Sequence, residues 1–231
     1  MKLRIKYEKT GVLRFIGHLD IMRLFQKAIR RAKLDISYSQ GFSPHQLISF
    51  AAPMPLGMTS EGEYFDAEFN SVTTSADMVN KLNQTLPDGV RVIDIVRLDD
   101  KAKNSMSIVS ASDYYIYLNE ECENDFMGAL REKCGAFMQQ NEITVLKKSK
   151  SKEELTDIRP MIYKLEEYRD GIYMLLESGS KANLKPELVI DAMCSLCNVE
   201  YNRYDYMFHR LETYFGDKGE LKSLLAAGER F

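Results

Sequence analysis

The chain has 231 residues, of which 45% are hydrophobic and 28% charged, with a formal net charge of −3. That length gives either one large domain or two small ones a self-sufficient core, and the composition excludes long disorder and a disulfide-built scaffold. No stretch approaches the roughly 20 apolar residues of a membrane span, and MKLRIKYEKT has no apolar signal region, so neither a membrane partner nor secretion is expected and the protein is placed in the cytoplasm.

The total charge conceals an asymmetry. Residues 1–50 hold ten Lys and Arg against three acidic residues, a balance of +7, while the remainder carries −10. A basic first quarter on an acidic body points to a local anion-binding surface.

In chain order, residues 2–8 place Leu3, Ile5 and Tyr7 on one face and Lys2, Arg4 and Lys6 on the other, the period of a half-buried strand. From Gly17 to Lys33 the period changes. Leu19, Met22, Phe25, Ala28, Ile29 and Ala32 recur at helical spacing. LISFAAPM and EYFDAEF then read as strands, SADMVNKLNQTL as a helix with Ser75 as N-cap, and GVRVIDIVRL as a closing strand. This is the β-α-β-β-α-β order of a ferredoxin-like domain over residues 1–100.

The polar stretch 99–107 reads as a linker, and a looser copy of the order occupies residues 107–215. DYYIYL is its first strand, NDFMGALREKCGAFMQQ a helix, and EITVLKKSKSKEEL a strand running into a lysine-rich turn. TDIRPMIYKLEEYRDGIYMLLES reads as a hairpin turning at Arg169-Asp170-Gly171. KPELVIDAMCSLC, with Pro186 in its first turn, is a helix and YDYMFHRLETYF the last strand. Residues 216–231 form a tail. The fold class expected is therefore α+β, with two ferredoxin-like domains in tandem.

On the first helix Arg23, Lys27, Arg30 and Arg31 fall at i, i+4, i+7 and i+8, a continuous basic ridge without acidic i+4 partners. It is flanked by Arg14-Phe15-Ile16-Gly17-His18-Leu19-Asp20 and by Tyr38-Ser39-Gln40-Gly41-Phe42-Ser43-Pro44-His45. Basic, aromatic and hydroxyl side chains together suit single-stranded RNA, whose bases stack on rings while Arg and Lys hold phosphate. His18, Tyr38, Ser39, Gln40, Gly41, Phe42, His45, Glu63 and Tyr64 are the candidate pocket residues. Phe15 and Phe42 read equally well as core. His18 and His45 are the candidates for general acid–base cleavage of RNA. In the second half, Arg159, Lys181 and Lys185 are candidates for a further anion contact near a helix start. Cys194-x-x-Cys197 lies inside a helix without a second cysteine pair and reads as buried thiols rather than a metal site. No cofactor or metal is expected.

The segments Arg14 to Asp20, Tyr38 to His45, Ser60-Glu61-Gly62-Glu63-Tyr64 and Gly179 to Pro186 resemble a bacterial radical-SAM-associated family of unknown function, along essentially the whole chain. In that family the domain stands alone or is attached to a radical-SAM enzyme, which implies an accessory role in a modification reaction. The chain lacks the Cys-x-x-x-Cys-x-x-Cys motif of a radical-SAM catalytic domain, so such chemistry would belong to the partner enzyme. The expected function is RNA binding, presenting tRNA or rRNA to that enzyme. A metal-independent endoribonuclease and a protein-docking module without nucleic acid are the alternatives.

Overall fold

The alternation of the first residues forms strand β1 (Lys2–Lys9), and the helical period that follows forms α1 (His18–Arg31). Both belong to a computed structural model that describes residues 1–120, 122, 126–148, 153–180 and 182–231. It divides into two units, residues 1–110 with 210–231, and residues 111–209.

In the first unit, β1 and α1 are followed by β2 (Ile48–Phe50), β3 (Thr59–Glu68), α2 (Ser75–Asn83) and β4 (Val90–Leu98). β1 lies between β4 and β3, antiparallel to both, and β2 pairs with β3, giving the 4-1-3-2 order of the ferredoxin-like fold. Helix α1 buries Ile21, Phe25, Ala28 and Ile29, at the i, i+4, i+7 and i+8 positions of one face. They meet Leu3, Ile5, Tyr7, Phe50 and Phe65, and the rings of Phe25 and Phe65 lie 4.7 Å apart. Leu19, expected in the apolar stripe, is in the first turn and remains 63% exposed. The cap of α2 is Thr74 rather than Ser75. Thr74 has extended backbone and accepts from Asp77 N–H, whereas Ser75 is already helical and its hydroxyl accepts from Phe231 N–H.

The second face of β1 differs from expectation. The alternation predicts a solvent face for Arg4, yet it is fully buried. Two stretches of chain account for this. The stretch at 99–107, read as a linker, contains a short helix α3 (Ser105–Ile108) whose first N–H donates to Asp66. Residues 216–231, read as a tail, supply β11 (Lys222–Ser223) beside β10 (Tyr206–Phe215), a 3-10 turn at Leu224–Ala227, and β12 (Gly228–Glu229) beside β4. They are counted with the first unit, and Leu224 is fully buried.

The second unit is built from β5 (Val109–Leu118), α4 (Met127–Met138), β6 (Thr144–Lys148), β7 (Glu153–Asp157), β8 (Ile162–Tyr168), β9 (Gly171–Glu177), α5 (Pro186–Leu196) and the start of β10. Its order β10-β5-β9-β8 is again 4-1-3-2 once β6 and β7 are set aside. The strand expected at the start of 142–155 is β6, which pairs with β7 in a separate two-stranded sheet, and the lysine-rich turn expected after it falls on 149–152, outside the described residues. Lys147 there lies opposite Glu154 in the ladder, a pairing of opposite charges that favours this register.

The β8–β9 hairpin turns where Arg169-Asp170-Gly171 predicts, with Arg169 at φ 54° and Tyr168 paired to Gly171. A Cβ on Gly171 would overlap the carbonyl oxygen of Ile116 on the next strand. Gly171→Ala is therefore expected to cost about 1–3 kcal/mol. Far-UV circular dichroism in urea would measure it, and hydrogen exchange should confine the loss to residues 111–209. Among the described residues no helix is long and apolar enough to cross a membrane.

Candidate nucleic-acid interface

Because α1 turns its apolar face to the sheet, its opposite face carries Arg23, Lys27, Arg30 and Arg31 into solvent, and all four are exposed. Arg23 has an acidic neighbour that i+4 counting passes over, Asp20, at 3.3 Å one turn earlier. Both side chains are mostly in water, where such a pair contributes little.

The chain enters α1 through a 3-10 turn at Gly11–Phe15, and Gly57 N–H donates to the Arg14 carbonyl at 2.9 Å, tying the 53–57 loop to this turn. The Arg14 guanidinium lies 4.8 Å over the Phe15 ring, and Phe15 is 61% exposed. After α1, a bridge between Tyr38 and Gln46 and a hydrogen bond from Ser39 N–H to the His45 carbonyl close a loop. The Ser39 hydroxyl also accepts from His45 N–H and bonds His45 Nδ1 at 2.8 Å. Gln40 to Pro44 project from this closure, with Gly41 at φ 112° and Phe42 wholly in solvent. Gln46 Nε2 donates to the Gln26 carbonyl, in the middle of α1, and to the Tyr38 hydroxyl. The second loop is thereby fastened to the basic helix, and the first runs directly into it. Phe15 and Phe42 are not core residues, and Tyr38 is also exposed.

The two histidines line different clefts. His18 stands edge-on to Phe50, with ring centroids 5.2 Å apart, in a small cleft with Tyr7, Lys9, Ile21, Ala52, Met54 and Glu63. His45 lines a separate cleft of about 170 Å³ with Lys2, Gln46, Ser49, Asp66 and Asn104 among others. Glu63 and Tyr64 also part company. Successive residues of a strand point to opposite faces. Glu63 joins the His18 cleft, whereas the buried Tyr64 hydroxyl donates to Glu212 Oε1 at 2.6 Å and bonds Ser223.

Under His18 lies a set of buried ionisable groups that sequence reading passed over. Glu63 pairs with Arg210 at 2.8 Å, both nearly inaccessible, and Lys9 is only 3% exposed. Burial lowers the Lys9 amine from its ordinary pKa of 10.5, with Glu63 opposing that shift and Arg210 adding to it. Burial, and then Glu63, push the Tyr7 phenol well above its ordinary range. A signal for two of these was present. Lys9 continues the Leu3, Ile5, Tyr7 alternation, and Arg210 continues Tyr206 and Phe208, so each stands at the end of a buried face.

Of the anion contacts expected in the second unit, Arg159 is already engaged within the fold. Arg159 donates from Nη2 and Nε to the Met138 carbonyl at 2.8 and 3.1 Å and from Nη1 to Ile162, capping the end of α4. Lys185 is the exposed residue preceding α5, and Lys181 lies outside the described residues. Cys194 is buried and bonds the Tyr206 hydroxyl at 3.1 Å, and burial raises the pKa of both Cys194 and Cys197.

A family model described as "Uncharacterized protein conserved in bacteria (DUF2344)" matches residues 2–186. No curated protein matches the chain. Among solved structures, the chain is similar to one in "Crystal Structure of a Cbf5-Nop10-Gar1 Complex", with a TM-score of 0.46 and 10% identity. The similarity covers 91% of this chain and 48% of that one, so the chain spans about half the length of its structural relative.

Proposed function

The chain belongs to DUF2344, a family of uncharacterized proteins conserved in bacteria, and we propose that its first unit binds RNA and presents it to a modification enzyme. The observation that carries this reading is the display of Phe15 and Phe42 in solvent on the two loops that flank a helix exposing four cations. Large aromatic rings are stabilised by burial, so rings held out beside arginines fit a partner that supplies flat faces and negative charge together. Arg14 over Phe15 already forms the kind of stack into which a base inserts. Structured RNA such as tRNA or rRNA is the proposed ligand. The resemblance of the motif segments to a radical-SAM-associated family suggests a radical-SAM enzyme as the partner that consumes it. Cleavage by His18 and His45 is not adopted, because general acid–base work requires both groups within reach of one phosphate.

The test is fluorescence anisotropy with labelled tRNA and single-stranded RNA across a salt series. Four or five phosphate contacts predict a slope of log K against log salt near −3, at about −0.7 per contact for single strands. Arg23→Glu with Arg30→Glu should weaken binding about 30-fold, from two contacts of roughly 1 kcal/mol each, and flatten the slope by about 1.4. Salt-insensitive affinity would overturn the proposal. Binding to an acidic protein in place of RNA would transfer the same face to the docking reading, which the exposed Val12, Leu19 and Leu56 favour.

A further inference from the structure

A lysine ammonium carries three donors and no acceptor, and burying it is costly unless those donors are met. Lys9 has one described hydrogen bond, to the Ile16 carbonyl at 3.4 Å, which is long for an ammonium donor. Among the described residues it makes no direct ion pair, and one oxygen of the nearby Glu63 carboxylate is engaged at 2.8 Å by Arg210. The burial of this amine is therefore left without an adequate partner inside the fold. Lys9 also lines the cleft that holds His18, Ala52, Met54 and Glu63. That cleft is about 10 Å³, the room of a single water. It admits one atom of a ligand, and neither a whole base nor a whole phosphate. A donor-only group facing a one-atom space selects an acceptor. The cleft adjoins the start of α1, where His18 follows the Arg14-Phe15 turn by three residues.

We propose that Lys9 is the docking group for a single acceptor oxygen of the bound nucleotide, either a phosphate oxygen or a base carbonyl, inserted beside His18. This rests on the RNA reading above and adds a buried contact to an otherwise surface-exposed interface. The depressed pKa of the amine agrees with a site in which burial outweighs the compensation that Glu63 gives its charge.

Two measurements separate this inference from the RNA reading itself. In the first, the Nζ resonances of ¹⁵N-lysine-labelled wild-type protein are followed by NMR during titration with uridine 5′-monophosphate and, separately, with uridine. Lys9 is assigned as the signal missing in Lys9→Met. A saturable shift of that signal with both ligands identifies the base carbonyl, and a shift with the monophosphate alone identifies phosphate. In the second, Lys9→Met is compared with wild type for RNA affinity after urea unfolding has confirmed that it folds. The expected loss is about tenfold, with the salt slope reduced by about 0.7 for a phosphate contact and unchanged for a carbonyl. If wild-type protein binds RNA and loses it on Arg23→Glu with Arg30→Glu, yet the Lys9 signal stays fixed and Lys9→Met binds equally well, the Lys9 inference falls and the RNA reading stands. If wild-type protein binds no RNA and neither small ligand moves the Lys9 signal, both fall.

Discussion

Asp66→Ala is expected to lower the unfolding free energy of the first unit by about 3–5 kcal/mol, the usual cost of removing one partner from a buried ion pair. Arg4 is fully buried and Asp66 nearly so. Its Nε and Nη2 donate to the two Asp66 oxygens at 2.8 and 3.1 Å, and the remaining donors reach the carbonyls of Leu224 and Lys103 at 3.2 and 3.3 Å. Asp66 Oδ2 also accepts Ser105 N–H at 2.7 Å. Removing the carboxylate thus strands a guanidinium between two carbonyls and frees the start of α3. Arg4→Met with Asp66→Leu should cost much less, because no charge is left behind. Urea unfolding followed by circular dichroism would measure both, with Arg23→Ala, expected within about 0.5 kcal/mol of wild type, as the surface control. A loss under about 1 kcal/mol for Asp66→Ala would mean that water reaches Arg4 and that the C-terminal segment does not seal this face.

That segment explains why the first fold unit was legible in sequence on one face only. The change from period 2 in Leu3, Ile5 and Tyr7 to helical spacing after Gly17 is a local signal, and it located β1 and α1 within a few residues. Arg4 obeys the same alternation and so reads as solvent-facing, while the chain that covers it returns only at Leu224, 220 residues later. No local pattern reports such a return. That β6 pairs with β7 apart from the main sheet is not legible for a related reason. Its strand residues look like those of a sheet strand, and only pairing decides which sheet they join. In the candidate interface, residue types were readable but their exposure was not. A phenylalanine in a turn motif reads equally as core or as display, and the closure of Ser39 on His45 is what holds Phe42 outward. Lys9 reads in sequence as one more surface charge, because lysine usually is one.

The Glu63→Gln variant is expected to be destabilised by about 3–5 kcal/mol near pH 7, and part of that loss should return as the pH rises. The first effect follows from burial, since the change leaves Arg210 and Lys9 without this carboxylate in a nearly inaccessible site. The second follows from linkage. Lys9 in the folded protein already has its pKa below the ordinary 10.5, chiefly through burial. Between the folded and unfolded pKa values the unfolded chain holds the proton and the folded one releases it, so stability rises with pH across that window. Glu63 is the group that raises the Lys9 pKa. Without it the folded value drops further, the window opens at lower pH, and the gain is larger than in wild type. Unfolding in urea from about pH 7 to about pH 9.5 captures the difference. The range stops there because Tyr7 is held neutral well above its ordinary 10.0, so ionisation of the unfolded phenol removes stability above that pH. Glu63→Gln should then gain more stability across the range than wild type, and Lys9→Met with Glu63→Gln should gain none from this source. Parallel profiles for wild type and Glu63→Gln would mean that the amine does not feel the carboxylate, which would then serve Arg210 alone.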